Sequence, residues 1–237
     1  MPRFDVIAFD ADDTLWQNER LYQQTQAGLR QLLAQYHPPE WIDQRLYQTE
    51  MRNLQHFGYG IKGFTLSMIE TAIELTEGRI SGSEIQTLID AGRTMLTANI
   101  ELLEQVAETL EQLAQRYPLM LITKGDLFDQ EQKIARSGVA RHFRQVEIVS
   151  NKRPEDYALL MKRHGIAPER LLMVGNSLRS DILPVLAIGG SAVYIPHELT
   201  WSHEAAEPPT GQPGFYELAR FGMLPDFLAE LEQQDRR

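Results

Sequence analysis

The chain has 237 residues, of which 43% are hydrophobic and 24% charged, values typical of a globular protein with one or two domains. It contains no cysteine, so disulfides, thiolate catalysis and cysteine-ligated metal centres are excluded. Thirty-three acidic residues against 23 Lys and Arg leave a net charge of −10, which disfavours binding to nucleic acid. The sequence shows no secretion-signal pattern and no apolar run of about 20 residues, so we expect a cytoplasmic protein without membrane contact.

The first predicted element is a buried strand, because residues 6–9 form a short apolar run that ends at acidic residues. Four helices follow without a strand pattern between them, and their boundaries carry capping signals such as Ser81 with Glu84. These helices are predicted near residues 19–36, 39–56, 64–77 and 83–97.

After residue 100, helix and strand patterns alternate. An amphipathic helix is predicted near residues 102–115, and a final helix near 215–232 follows a Pro- and Gly-rich stretch, 196–214, that we interpret as a surface loop. Four further strands are predicted at residues 119–122, 146–149, 171–174 and 192–195. Strands separated by helices indicate a parallel sheet that is covered on both faces.

The predicted fold class is therefore α/β, with a Rossmann-like parallel sheet of about five strands and helices on both faces. A long helical stretch separates the first strand from its partners, and the simplest explanation is an all-helical, four-helix domain inserted into the α/β domain. We predict that residues 1–17 and 99–237 form the α/β core domain and that residues 18–98 form the inserted domain.

Polar and charged residues follow four of the predicted strands. They are Asp10-Ala11-Asp12-Asp13-Thr14, Thr123-Lys124-Gly125-Asp126, Asn151-Lys152, and Gly175-Asn176-Ser177 with Asp181. Ligands bind outside the carboxyl ends of parallel strands, so these side chains predict one common site. Three carboxylates on one turn repel each other unless a cation lies among them. Because no Cys and no paired-His motif is nearby, the available ligands are oxygen atoms, which favour a hard cation such as Mg²⁺. For Asp12, Asp13 and Thr14 alone, ordinary turn and helix-capping chemistry is the alternative.

In these segments the sequence resembles the haloacid dehalogenase-like superfamily. Asp10-x-Asp12-x-Thr14 is similar to its first motif, Thr123 to its second and Lys152 to its third. The fourth motif is matched by Gly175-Asn176-Ser177-Leu178-Arg179-Ser180-Asp181. The helical insertion stands where this superfamily places its C1-type cap domain, and the resemblance covers essentially the whole chain.

The resemblance implies a Mg²⁺-dependent phosphohydrolase that cleaves a small phosphate monoester, a phosphorylated metabolite, through an aspartyl-phosphate intermediate. In that scheme Asp10 is the nucleophile, and Asp12 protonates the leaving oxygen and later activates water. The metal ligands implied are Asp10, the backbone carbonyl of Asp12, Asp181, and Asn176 directly or through water.

The resemblance also implies a phosphate-binding set. Thr123 and the backbone amide after it would orient the phosphoryl group, and Lys152 would neutralise the charge on Asp10 and on the phosphoryl oxygens. Lys124 is a second cation near the phosphate and competes with Lys152 for the third-motif role, which we assign to Lys152. The chain departs from the usual pattern by carrying Asp13 where many relatives have Gly and Asn176 where an acid is common.

Asp12 separates the branches of the superfamily. A dehalogenase needs no metal and no proton donor for its halide leaving group, and it typically lacks this second acid, so phosphoester hydrolysis is favoured over dehalogenation. A phosphomutase shares all four motifs and stays open as an alternative. A non-enzymatic alternative is a phospho-acceptor module like a response-regulator receiver, but such a module carries no acid two positions after its phosphorylated Asp and no helical insertion.

Two weaker patterns lie outside these motifs. The segment from Gly58 to Gly63 matches a dinucleotide-binding pattern, but no strand precedes it, so we interpret it as a helix–helix turn. The alternative hypothesis is that this turn faces the acidic strand ends, with Lys62 and Tyr59 contacting an anionic part of the substrate. The segment Trp201-Ser202-His203-Glu204 is interpreted as surface-loop packing and not as a substrate contact.

Overall fold

The computed structural model describes residues 3–234, and a single parallel sheet runs through it. Its strands are β1 (Val6–Phe9), β2 (Leu119–Lys124), β3 (Gln145–Val149), β4 (Leu171–Gly175), β5 (Ser191–Tyr194) and β6 (Phe215–Glu217). Their order is β3-β2-β1-β4-β5-β6, with every neighbouring pair parallel. The predicted Rossmann-like parallel sheet is therefore confirmed.

The number of strands differs from the prediction, because the sheet has six strands where the sequence indicated about five. The sixth strand, β6, pairs with β5 in the register Ala192 to Phe215. The sequence pattern predicts a final helix from about residue 215, but that helix begins at Leu224. Three residues are too few to show the period-two alternation of a strand. They form one because the edge of β5 would otherwise leave its backbone groups without hydrogen bonds.

The helices lie between and after the strands. They are α1 (Glu19–Leu33), α2 (Pro39–Phe57), α3 (Ile61–Leu75), α4 (Gly82–Thr97), α5 (Val106–Ala114), α6 (Leu127–Arg136), α7 (Pro154–His164), α8 (Leu183–Ala187) and α9 (Leu224–Gln234). A π-helical turn, Leu178–Ile182, joins β4 to α8. The capping box predicted at Ser81 and Glu84 is present at the start of α4. Within residues 3–234, no helix has the length and apolarity needed to span a bilayer.

The sheet is buried on both faces, which explains why its central strands are continuous apolar runs. Along β1, Ile7 and Phe9 point into a cluster that also contains side chains of α5 and α9. Val6 and Ala8 point into a second cluster, on the other face, with side chains of α7 and α8. Helices on both faces of the sheet are thus confirmed, and β1 lies between β2 and β4 at the centre.

Contacts divide the chain into two compact units. The first contains the sheet and comprises the described residues up to Glu19, Ile100–Lys124 and those from Lys133 onwards. The second comprises Arg20–Asn99 and Gly125–Gln132. It has its own apolar core, to which α1 to α4 contribute residues such as Leu33, Leu46, Met68 and Leu88.

The contact between α3 and α4 depends on a glycine, and this gives a first prediction. A Cβ atom at Gly92 would lie 2.3 Å from Thr65 Oγ1 and 3.0 Å from its Cγ2, whereas a Cβ at Gly28 in α1 would meet nothing within 4 Å. We expect Gly92→Ala to lower the melting temperature by several degrees, since overpacking costs about 1–3 kcal/mol. We expect the control, Gly28→Ala, to raise it slightly through helix propensity. Thermal unfolding followed by circular dichroism measures both, and a Gly92→Ala variant as stable as Gly28→Ala would contradict this packing.

Candidate active site

Asp10 stands at the carboxyl end of β1, in the middle of the sheet. Its backbone N–H donates to the carbonyl of Val174 at 2.9 Å, so the hydrogen bonding between β1 and β4 continues to this residue. Asp10 Oδ2 accepts a hydrogen bond from Thr14 Oγ1 at 3.0 Å. The Thr14 hydroxyl also lies 3.1 Å from Asn176 Oδ1 and accepts the Asn176 backbone N–H at 3.1 Å. The ends of β1 and β4 are therefore joined through one hydroxyl.

The turn after β1 is shaped by Asp13. Its φ of 60° is left-handed, a conformation in which Asp is tolerated better than most residues other than Gly. Its carboxylate accepts the backbone N–H groups of Asn18 at 2.8 Å and Glu19 at 3.0 Å, where α1 begins. Burial raises the pKa of this carboxyl to about 6, although these two backbone hydrogen bonds act in the opposite direction. Asp13 thus takes the helix-capping role that the sequence left open for this turn.

Lys152 lies between two buried carboxylates. Its Nζ is 2.5 Å from Asp10 Oδ1 and 2.7 Å from Asp181 Oδ1. The other carboxylate oxygen of Asp181 accepts the backbone N–H of Ser177 at 3.0 Å. Asp10, Asp181 and Lys152 are exposed to only 8%, 1% and 5%, so the three charges interact with little screening by solvent. Three residues that are remote in the sequence thus form one ionic cluster.

Burial and neighbouring charges both shift the pKa values of this cluster, and their relative weight differs between Asp10 and Lys152. Burial, together with the neighbouring Asp181, raises the pKa of Asp10 from its ordinary value of 3.8 to about 7, and the Lys152 ammonium offsets this only in part. Burial alone would lower the pKa of Lys152, but the two carboxylates outweigh it and hold that pKa well above its ordinary value. The cluster therefore carries more negative charge than one lysine compensates.

The end of β4 approaches Asp181 closely. A Cβ atom at Gly175 would lie 2.2 Å from Asp181 Oδ2 and 2.4 Å from its Cγ. Only glycine leaves room for the carboxylate at this point, since Lys152 holds Asp181 Oδ1 and the Ser177 N–H holds Asp181 Oδ2 in place.

Asp12 has different partners from Asp10. Trp16 Nε1 donates to Asp12 Oδ1 at 2.7 Å, and Lys133 Nζ lies 3.0 and 3.1 Å from the two carboxylate oxygens. Lys133 also donates to Asn18 Oδ1 at 2.9 Å. The Asp12 side chain retains 21% exposure, while that of Lys133 is buried. The two acids of the first motif thus belong to separate ion pairs, one with Lys152 and one with Lys133.

Thr123 and Lys124 end β2. The Thr123 side chain is 1% exposed, and its hydroxyl oxygen has no hydrogen-bond partner among the described residues. Buried polar atoms are nearly always paired, so this hydroxyl is able to donate a hydrogen bond to a further polar group. Lys124 Nζ contacts the carboxylate of Glu204 and donates to Ser180 Oγ at 2.9 Å.

The predicted site residues are distributed as follows. Asp10, Lys152 and Asp181 are in direct contact, and Asn176 joins Asp10 through Thr14. Asp12 lies in the same unit, in the loop after β1, and Thr123 and Lys124 are the last two residues of β2.

Lys62 and Tyr59 belong to the second unit. Lys62 Nζ pairs there with Asp126 at 2.8 Å and lies 5.4 Å from the ring centre of Phe128. Tyr59 is half-buried between α2 and α3. Their contact with a substrate stays a prediction.

Three contacting residues were not predicted from the sequence. Lys133 lies on a face of α6 that is polar and would be expected in solvent, but the structure buries it together with Gln130. Trp16, only two residues after the first motif, reads as an apolar core residue in the sequence, but its indole N–H donates to Asp12. Glu204 was assigned to surface-loop packing, whereas its carboxylate contacts Lys124, Ser177 and Ser180. Of the three, only Trp16 was close enough in sequence to the motif to be found by spacing.

The donor set of this site consists of oxygen atoms. Among residues 3–234, no group of three or more His, Asp or Glu side chains is arranged to hold a metal ion. Two carboxylates, Asp10 and Asp181, both contact the Lys152 ammonium. The Thr14 hydroxyl lies next to Asp10 and also contacts the Asn176 amide oxygen. Mg²⁺ is commonly bound by one or two protein carboxylates with water and phosphate oxygens completing the shell, so this set fits such an ion.

Comparison with known proteins gives a consistent result. A family model described as haloacid dehalogenase-like hydrolase matches residues 4–189. A solved haloacid dehalogenase-like family hydrolase from Xanthomonas campestris is 41% identical, covers 98% of this chain and 93% of its own, and superposes with a TM-score of 0.88.

Two sequence relatives are phosphatases by name. The 5-amino-6-(5-phospho-D-ribitylamino)uracil phosphatase YigB of Escherichia coli (strain K12) is 26% identical over 81% of this chain and 84% of its own. The glyceraldehyde 3-phosphate phosphatase of Methanothermobacter thermautotrophicus is 34% identical over a shorter stretch, 35% of this chain and 39% of its own.

The raised pKa of Asp10 predicts how stability depends on pH. Because the folded chain holds a proton on Asp10 that the unfolded chain releases, its contribution to stability is present below pH 4 and is lost as the pH rises towards 7. We expect Asp10→Asn, which lacks this ionisation, to melt several degrees above the wild type at pH 8 in the presence of a chelator. The difference should shrink towards pH 4. Differential scanning calorimetry measures it, and a lower melting temperature for the variant at pH 8 would contradict the electrostatic interpretation.

Proposed function

This chain belongs to the haloacid dehalogenase-like hydrolases, and on that basis we propose that it is a Mg²⁺-dependent phosphatase of a small phosphate monoester. One observation carries the proposal. A buried carboxylate, Asp10, lies at the end of the central strand beside the Lys152 ammonium, and the hydroxyl of Thr123 at the end of the adjacent strand has no hydrogen-bond partner among the described residues. A phosphoryl group would supply oxygen atoms for that hydroxyl and phosphorus for that carboxylate.

In the proposed reaction Asp10 attacks phosphorus and the bond to the ester oxygen breaks. Asp12 donates a proton to the departing oxygen, so that the alcohol leaves as a neutral molecule. Asp12 then accepts a proton from water, whose oxygen attacks the aspartyl-phosphate and releases inorganic phosphate with Asp10 restored. Lys133 and Trp16, which hold the Asp12 carboxylate, orient it for both proton transfers.

Three groups have proposed roles toward the phosphoryl oxygens. Lys152 neutralises charge on Asp10 and on the oxygens, and it already lies 2.5 Å from Asp10. Thr123 donates its hydroxyl proton, and the backbone N–H of Lys124 lies next to it in the chain. The Lys124 ammonium adds positive charge, part of which its contact with Glu204 offsets.

Mg²⁺ is proposed as the cofactor because Asp10 and Asp181 together exceed the charge of one lysine. Asp10, Asp181, the backbone carbonyl of Asp12 and Asn176 would hold the ion. When bound, it supplies positive charge that keeps Asp10 ionised and reduces the repulsion between that carboxylate and a phosphate dianion.

The proposed substrate is a small phosphorylated metabolite in the cytoplasm. Two relatives named above as phosphatases support this class, since each name specifies a small phosphorylated molecule. We further propose that residues 18–98, the helices of the inserted domain, form a cap domain that restricts the site to small substrates, and that Lys62 and Tyr59 contribute to substrate binding from it.

A metal-dependent screen of phosphorylated metabolites tests the proposed function. We expect multiple turnovers of phosphate release that require Mg²⁺ and are abolished by a chelator and by Asp10→Asn, because the substitution removes the nucleophile. A single stoichiometric phosphorylation would instead indicate a phospho-acceptor module, and transfer of phosphate between positions of a sugar would indicate a phosphomutase. Metal-independent halide release from a 2-haloacid would indicate a dehalogenase. Activity that survives Asp10→Asn would reject the covalent mechanism.

The role of Asp12 can be tested separately with leaving groups of different basicity. An alkoxide leaves poorly without a proton, whereas 4-nitrophenolate leaves readily. We therefore expect Asp12→Asn to reduce kcat for an alkyl phosphate by about 10²–10⁴-fold, the usual size of general acid catalysis, and to reduce phosphorylation of the enzyme by 4-nitrophenyl phosphate far less. Rapid-quench measurement of the first turnover reports this step. An equal reduction for both substrates would contradict proton donation by Asp12.

A further inference from the structure

Glu204 lies outside the four sequence motifs but is connected to two of them. It ends a short 3-10 turn, Ser202–Glu204, in the loop after β5, and its side chain is only 13% exposed. One carboxylate oxygen contacts Lys124 Nζ, and the other accepts hydrogen bonds from Ser177 Oγ and Ser180 Oγ, each at 2.5 Å. A single side chain thus joins the end of β2 to the loop after β4.

The residues that Glu204 contacts also determine the position of Asp181. Ser177 begins the π-helical turn, where its hydroxyl accepts the backbone N–H of Ser180 at 2.9 Å and its own N–H donates to Asp181 Oδ2 at 3.0 Å. From the other side, the buried Tyr157 hydroxyl donates to the Ser180 carbonyl at 3.1 Å. The π-helical conformation is rare and is less regular than an α-helix, so such fixed contacts are needed to hold it in one geometry.

Glu204 carries a full charge in this network. Burial would raise the pKa of the carboxyl, but Lys124 and the hydroxyls of Ser177 and Ser180 outweigh it and lower the pKa to about 2. The Lys124 ammonium also contacts Ser180, which is adjacent in sequence to Asp181. Removal of either partner would leave the other charge largely buried, with side-chain exposures of 15% for Lys124 and 13% for Glu204.

We propose that Glu204 is a positioning residue that neutralises Lys124 and fixes the turn that presents Asp181, and that it thereby sets the affinity of the site for a divalent cation. The inference rests on the proposed function, because it assumes that Asp181 binds Mg²⁺. Without the Glu204 carboxylate, the Lys124 ammonium loses this counter-charge beside the turn and opposes the binding of a second cation more strongly. Without Lys124, the Glu204 carboxylate attracts that cation.

Charge-changing variants of the full-length protein test this inference through Mg²⁺ binding measured by isothermal titration calorimetry, without reference to activity. We expect Glu204→Gln to raise the Kd for Mg²⁺ by about tenfold or more and Lys124→Met to lower it. The double variant, Lys124→Met with Glu204→Gln, should return to within about threefold of the wild type, since its net charge is restored and the amide oxygen that Glu204→Gln retains still accepts from Ser177 and Ser180. Glu207→Gln, an exposed acid in the same loop, is the matched control and should leave the Kd unchanged.

The two single variants are expected to change the Kd for Mg²⁺ in opposite directions. This distinguishes charge compensation from loss of native structure, because a purely structural defect would weaken Mg²⁺ binding in all three variants. Lys124→Met keeps the test decisive if Glu204→Gln does not fold. The inference would be overturned if the Kd for Mg²⁺ were unchanged in Glu204→Gln or in Lys124→Met, or if the double variant bound Mg²⁺ as weakly as Glu204→Gln. In each of these cases the wild-type chain still binds Mg²⁺, so the proposed function is not contradicted. A wild-type chain that binds no Mg²⁺ would overturn both.

Discussion

The contact of one buried ammonium with two carboxylates determines how the rest of this site is built. Lys152 approaches Asp10 and Asp181 from loops that are far apart in the sequence, and all three side chains are removed from water. Buried charges are stable only when they are paired, so each of the three must be placed accurately by its own strand and loop. The surrounding structure supplies this placement through Thr14, the glycine at the end of β4 and the Ser177 backbone.

Next to this cluster, three acidic residues that are neighbours in the sequence have different contacts in the structure. Asp10, Asp12 and Asp13 are almost consecutive, yet each carboxylate has a different partner: Lys152, Lys133 and the first N–H groups near α1. Separate partners limit the repulsion among three acids on one turn and allow each to have its own protonation behaviour. In the proposed reaction this separation is required, because one acid must remain an anion while another carries a proton.

Much of the fold and part of the site could be predicted from the sequence. Continuous apolar runs such as residues 119–122 identify strands that are buried on both faces, and polar residues directly after them identify the edge of the sheet where the candidate site lies. β6 was missed because three residues carry no periodicity. Lys133 and Glu204 were missed for a different reason, since a charged residue on a helix or in a loop is normally solvent-exposed and only tertiary contacts show that these two are buried.

The central position of β1 has a consequence for how the chain folds during synthesis. Phe9 pairs with Leu121 on one side and with Val174 on the other, so β1 finds its partners only after β2 and β4 have been synthesised. The helices encoded between them make mostly local contacts and can acquire structure earlier, because closing long loops slows non-local pairing. We therefore expect β1 to stay unpaired while the helices between it and β2 are synthesised, which makes engagement of this apolar strand by a chaperone advantageous for this architecture.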